Sequence, residues 1–424
     1  MRFEDSCSAH LAGKCSLPRA GGLVLVLIGS CLAAPLRAEE SDWPGFRGRG
    51  DSSSQAKLPL TWSDDENIGW TCELKGYGQS SPVVRGDRIF VTSAEGENKE
   101  TLVVACIAAD SGKTLWQKET PSSLPAKATD YISRGAPTPV VDARGVYAFF
   151  ESGDLLAFTH AGELLWSRDL AKDYGPIEGN HGLGGSPAQT DETVILLVAN
   201  SGPSYLAAFN KHTGETVWKQ DREARVSWSS PIVSPGPNGL EIFVSSNGLV
   251  QSFNAKTGAL LWEVRGLEGN TVASPSVTAE SVLVGSSQAG NNLLIRRGGE
   301  GDVTDTHVAW RVDEVSSSFG SPLVHQGRAY FVNKTGVAFA VDLQQQKLLW
   351  KQRLPDSTWA SPIASGNRIY FFCKNAEAVV VRAADAFEKL AENSLNIDDR
   401  VYGVAVARGG FVIRSGSRLT FIRP

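Results

Sequence analysis

The sequence is poor in the residues on which redox and metal chemistry depends. Met1 is the single methionine of 424 residues, so no internal thioether is available to haem or copper. No Cys-x-x-Cys-His run occurs, which argues against a covalently attached c-type haem. No two of the six cysteines are adjacent or at a zinc-ligand spacing. Charge of one sign is not concentrated either: 41 Lys and Arg stand against 46 Asp and Glu, a net −5 without blocks. That is not the basic footprint of a nucleic-acid binder. A Gly-x-Ser-x-Gly elbow and a phosphate loop are also missing. Charged residues make up only 21% while glycine reaches 43, which excludes coiled coil and disorder and fits a turn-rich β protein.

One apolar run lies near the N-terminus. Gly21–Ala34 (GGLVLVLIGSCLAA) follows Lys14 and Arg19 and ends in small residues, the layout of a secretory signal peptide. It falls short of the about 20 apolar residues that a membrane span needs. Cleavage after Ala38 or after Ala33 fits the pattern. Ile28-Gly29-Ser30-Cys31 resembles a lipoprotein box in which Cys31 carries a lipid anchor, and an uncleaved N-terminal anchor is the remaining alternative. Removing residues 1–38 takes away four basic and two acidic residues, leaving 37 − 44 = −7. Cys72, Cys106 and Cys373 remain, read here as small buried strand residues.

The rest of the chain is repetitive. Ser-Pro followed by a strand pattern occurs at Ser81, Ser186, Ser230, Ser274, Ser321 and Ser361, with Thr138-Pro139 as a variant. A tryptophan follows all but the last: Trp116, Trp166, Trp218, Trp262, Trp310 and Trp350, spaced 50, 52, 44, 48 and 40 residues apart. Gly112, Gly162, Gly214 and Gly258 each stand four positions before one of them. One unit reads as four strands: 81–84, 88–93, 102–108 and 113–119. Four-stranded units of this length with a periodic aromatic predict a β-propeller, with the tryptophans packed between blades. Seven units start near Gly78, Gly135, Gly184, Trp228, Val272, Phe319 and Trp359, the seventh with Ala391 in place of the tryptophan. The tail 401–424 supplies three strands, and 67–74 with Trp70 supplies the fourth. The prediction is therefore an all-β, eight-bladed propeller whose last blade is closed by the N-terminal strand. The expected organisation is a leader (1–38), an N-terminal segment (39–66) and one propeller (67–424). Trp43, Phe46 and Trp62 suggest that the segment packs on the propeller.

With four blade turns (SGKTLW, AGELLW, TGETVW and TGALLW) close to a T-G-x-x-L-W signature, the chain resembles the bacterial PQQ-like β-propeller repeat proteins. The lead-in Asp42-Trp43-Pro44-Gly45-Phe46-Arg47-Gly48, HGLGGSP (181–187) and SWSSP (227–231) are similar to a secreted subgroup. The resemblance covers 42–424 and implies the fold; it does not choose an activity. It reaches both the propeller lipoprotein of the outer-membrane β-barrel assembly machinery, a protein-binding scaffold, and the quinoprotein alcohol dehydrogenases, which use PQQ and Ca²⁺. The dehydrogenases carry a vicinal Cys-Cys pair, which this chain does not.

The phase of the repeat locates a candidate face. Residues two before each Ser-Pro should rim the channel: Gln79, Ala136, Gly184, Trp228, Val272, Phe319 and Trp359, with Tyr402 nearby in blade eight. These positions hold no carboxylate for a dehydrogenase base or Ca²⁺. Two long loops, 121–135 and 171–184, should bring Asp130, Tyr131, Arg134, Glu178, Asn180 and His181 toward Trp228 and Trp359. Tyr131, Arg134, Asn180, His181, Trp228, Phe319, Trp359 and Tyr402 are the expected ligand-binding residues, for a protein, glycan or small molecule. A simple aromatic plug is the bland alternative. The reading is an exported, non-catalytic binding or scaffold propeller without catalytic residues, metal or cofactor; a PQQ-dependent oxidoreductase is the alternative.

Overall fold

The computed structural model describes residues 42–125, 134–179 and 181–424. The leader, and with it the expected boundary at 38, lies outside the described residues. Eight sheets follow one another, each built on four antiparallel strands, which are consecutive in all but the eighth. Blade one comprises Val83–Arg85, Arg88–Glu95, Thr101–Ala108 and Thr114–Pro121. Blades two to seven span 140–169, 188–222, 232–265, 276–312, 323–353 and 363–394. Blade eight combines Gly403–Ala407, Gly410–Ser415 and Arg418–Ile422 with the N-terminal strand Ile68–Glu73, which pairs antiparallel with Arg418–Ile422. The two middle strands of a blade are buried on both faces by its neighbours, as in Ile89–Ala94 and Leu102–Ile107. They therefore read as continuous apolar runs without alternation.

The Ser-Pro repeat has a structural cause. The backbone N–H of each repeat serine donates to the hydroxyl of the next blade's: Ser81 to Thr138 (3.0 Å), Thr138 to Ser186 (3.0 Å), Ser186 to Ser230 (2.9 Å). Ser230 to Ser274 (2.8 Å), Ser274 to Ser321 (3.0 Å) and Ser321 to Ser361 (3.0 Å) continue it. Proline holds the preceding residue extended, so hydroxyl and N–H point along the ring. Each such bond contributes about 1 kcal/mol net. Blade eight breaks the belt, because Gly403 occupies the serine position. A Cβ there would lie 2.2 Å from the Ser81 hydroxyl, so blades eight and one meet too closely for a side chain.

The tryptophans lock each blade to the next. The indole N–H donates to a carbonyl of the following blade: Trp70 to Ala109, Trp116 to His160, Trp166 to Lys211 and Trp218 to Ala255, at 2.8–3.1 Å. The signature glycine of that next blade lies flat on the ring. A Cβ on Gly112, Gly162, Gly214 or Gly258 would come within 2.5–2.8 Å of the indole. Thus the glycine and the tryptophan of one turn serve different interfaces. All eight outer strands bulge at the residue before the tryptophan position, which disrupts the open edge against further pairing. Blade four departs from the pattern. Gly301–Asp302 adds a fifth, parallel strand beside Trp262, whose indole is buried without an acceptor.

The N-terminal segment fills one end of the channel. Trp43 and Val84 exchange backbone hydrogen bonds, Pro44 accepts from Val141, and Ser52 accepts from Ala364. Ser53–Ser54 pairs parallel with the inner strand of blade seven. Trp62 then wedges against Phe372 and Phe411 before the chain enters blade eight. Arg47 is the centre of the plug. Its guanidinium donates to the carbonyls of Pro275 and Pro322 (both 2.9 Å) and to the hydroxyls of Ser276 (2.7 Å) and Ser52 (3.1 Å). Burial lowers its pKa to about 10, so it enters the channel charged at neutral pH. Arg47→Ala should lower unfolding free energy by roughly 3 kcal/mol, the scale of two charge-assisted hydrogen bonds, read as a reduced urea midpoint. An unchanged midpoint would show that the plug is not anchored there.

Candidate ligand-binding face at the channel mouth

Opposite the plug, the serine belt places the rim residues at the open mouth, and the aromatic ones divide into two groups. Phe319 and Trp359 stack with centroids 5.2 Å apart and planes 20° from parallel. Trp359 meets Tyr402 edge-on at 5.3 Å, and Tyr402 meets Tyr77 edge-on at 6.0 Å with their hydroxyls hydrogen-bonded. Phe319 is 41% exposed at the outer end of this row, whereas Tyr402 is buried. Arg134 lies 5.4 Å over the Tyr77 ring and Arg400 5.5 Å over Trp359. The second group is Trp228 with His181, 5.9 Å apart. Trp228 donates its indole N–H to Gly182 O (2.9 Å) and its backbone N–H to Thr271 O (2.7 Å), which ties it to the loops on either side. Tyr131 and Asn180, with Asp130, lie outside the described residues.

Carboxylates do reach this face, as expected of its loops. The rim positions hold none, but the loops leading into them do. A cavity of about 510 Å³ opens beside Tyr402, between blades seven, eight and one, and Asp356, Asp398 and Asp399 line it together with Arg134, Lys374 and Arg400. Lys374 pairs with Asp356 at 3.3 Å. Burial, the hydrogen bond to Tyr402 and the nearby Asp399 carboxylate push the Tyr77 hydroxyl well above the usual phenol range. Tyr77, Lys374 and Arg400 escaped the sequence reading because their loops lie outside the phase of the repeat.

Elsewhere on this face, Lys99 and Glu151 form an ion pair at 3.3 Å, each at most 6% exposed. Glu151 also accepts from the Gly135 N–H, and burial pushes its carboxyl up. Along the channel axis, the space between Trp359, Tyr402, Phe46 and Arg47 is about 20 Å³, enough for about one water. A tricyclic quinone does not fit there. Among the described residues, no group of three or more His, Cys, Asp or Glu is placed to hold a metal ion, and no helix is long and apolar enough to cross a membrane.

The belt, the docked tryptophans and the closing strand define an eight-bladed propeller with an aromatic, ion-lined mouth. The family model described as outer membrane protein assembly factor BamB matches residues 59–177 and 157–386. The chain belongs to that family. It is 23% identical over 256 residues to outer membrane protein assembly factor BamB of Yersinia pestis, a match spanning 58% of this chain and 63% of that protein, just under two thirds. The Moranella endobia protein of the same name is 24% identical over 329 residues, 75% of this chain and 68% of its own length. Among solved structures, BamB from Moraxella catarrhalis superposes with a TM-score of 0.60 at 15% identity, covering 84% of this chain and 97% of that one. Quinohemoprotein alcohol dehydrogenase from Comamonas testosteroni gives 0.66 at 13% identity, covering 90% and 80%. These structural likenesses share the fold.

The thiols bear on any covalent chemistry. Cys72, Cys106 and Cys373 are free and buried, and burial pushes Cys106 and Cys373 up to about 12. Since the thiolate is the reactive form, alkylation of folded protein at Cys106 and Cys373 should stay negligible from pH 7 to 10. The unfolded chain should label faster across the same range. Rapid labelling of either residue in the folded protein, read by mass spectrometry, would contradict the described burial.

Proposed function

We propose that this chain is an exported, non-catalytic propeller that serves as a binding scaffold in the cell envelope, in the assembly of outer-membrane proteins. The aromatic, ion-lined mouth carries this reading: it presents concave recognition chemistry without an activated nucleophile among the described residues. Family membership supports it, and the names of the relatives supply the biological setting. Residues 1–38 act as the export signal in this reading, and Cys31 is the residue at which a lipid anchor would hold the protein at the membrane. The ligand face is the mouth itself, with Trp228, Phe319, Trp359 and Tyr402 as its apolar contacts and Arg134 and His181 at its edge. Tyr131 and Asn180 belong to the same proposed face.

Capture from envelope extract tests the face. The mature protein should retain outer-membrane β-barrel proteins or other assembly factors, identified by mass spectrometry. The double variant Trp228→Ala/Trp359→Ala should lose them, because buried aromatic anchors dominate such interfaces. An unchanged captured set would place recognition elsewhere. The dehydrogenase alternative has its own readout. After incubation with PQQ and Ca²⁺ and desalting, no quinone absorbance should remain and no alcohol or sugar should reduce a redox dye. Retained quinone with dye reduction would replace the scaffold reading by a catalytic one.

A further inference from the structure

Three carboxylates and three cations line the large mouth cavity, but they are not matched in pairs. Of its three carboxylates, Asp356 is held by Lys374, and Asp399 accepts from the backbone N–H of Arg400 (2.7 Å). Asp398 is exposed and interacts electrostatically with Arg418. Arg134 and Arg400 form no ion pair with any described residue, and each is parked on an aromatic ring. Stacking fixes a guanidinium plane while leaving its N–H edge open, the geometry suited to two-point bonding of a carboxylate.

A third guanidinium lies behind the wall. Arg414 is fully buried. It donates to Gly416 O (2.6 Å), Thr92 O (3.3 Å) and the Ser93 hydroxyl (3.0 Å), with no carboxylate partner, and its Nη1 has no acceptor. Gly78 fits only because it lacks a side chain: a Cβ would lie 2.4 Å from Nη2. Tyr77, one residue away, separates this charge from the cavity. Burial lowers its pKa to about 9, so it remains a cation at neutral pH. A buried, uncompensated positive charge raises the potential at the adjoining surface far more than a solvated one.

We propose that the cavity between blades seven, eight and one recognises an acidic segment of a partner protein, with Arg134 and Arg400 binding its Asp or Glu carboxylate. This rests on the scaffold reading of the same face. A peptide suits the site because Arg400, which lines the cavity of about 510 Å³, lies over Trp359, and Trp359 stacks on exposed Phe319. A carboxylate and a neighbouring apolar side chain can thus be held together, the Arg-plus-aromatic pairing that dominates protein interfaces.

The test uses the mature chain and a fluorescent, N-acetylated, C-amidated peptide of alternating Glu and Leu, followed by anisotropy. The peptide should bind and weaken with added salt, and its Gln-for-Glu counterpart should not bind. Arg134→Gln/Arg400→Gln should weaken binding about tenfold or more, from the loss of charge-assisted bonds, with an unchanged melting temperature because neither side chain bonds the fold. Equal binding of the Gln peptide, or an unaffected double variant, would overturn the proposal. Full competition by millimolar acetate would reduce the site to a small-anion site and also overturn it. If the arginine variant still captures envelope partners that Trp228→Ala/Trp359→Ala loses, this inference fails while the scaffold reading stands.

Discussion

The ring depends on a short hydrogen bond repeated around its axis, from the N–H of one inner-strand serine to the hydroxyl of the next. It sets the distance between neighbouring blades at the channel, where they converge most tightly. Once that spacing is fixed, the wider gap at the periphery needs a large filler, and tryptophan supplies it. The glycine of the next blade then becomes obligatory, because the indole occupies the volume of its Cβ. Serine, tryptophan and glycine are thus three consequences of one wedge-shaped packing problem, solved near the axis by a small polar group and farther out by a large apolar one.

The belt also explains the arrangement of the two channel ends. Rim side chains project on the side where inner strands begin, and the N-terminal segment enters where they end. Arg47 therefore bonds carbonyls of blades five and six from below, while Trp359 and Tyr402 close the space from above. Blade eight, where Gly403 replaces serine, is the exception to the belt. It is also the blade built from both chain ends and the one beside the large cavity. The interruption coincides with Tyr402 at a position where other blades keep small residues such as Ser80, Gly185 and Ala360.

Much of this was legible in the sequence because it repeats. Blade number, the closing strand 67–74 and the structural role of the tryptophans follow from period and phase. The neighbouring of Phe319 and Trp359 follows from the same phase, with Tyr402 one position off it. Features that occur once were not legible. The Arg47 plug has no period, and its acceptors Pro275 and Pro322 are 228 and 275 residues away. The fifth strand Gly301–Asp302 pairs through backbone alone. Arg414 resembles any strand arginine until its missing counter-ion is seen, and Arg400 gains meaning only from the ring beneath it.

The path of residues 42–73 constrains when the protein can finish folding. Trp43 and Pro44 meet blades one and two, but Ser53–Ser54 and Ile68–Glu73 pair with the inner strand of blade seven and with Arg418–Ile422, about 300 residues or more further on. Until Arg418–Ile422 is made, Ile68–Glu73 has no strand to pair with, and Arg47 has no acceptors before blades five and six form. Early blades can form as local hairpins, but the ring closes only through contacts separated by nearly the whole chain, a slow step for any polypeptide. During that interval the unpaired strand and its tryptophans are exposed to other chains, so the growing molecule depends on being kept apart from its neighbours until its last strand arrives.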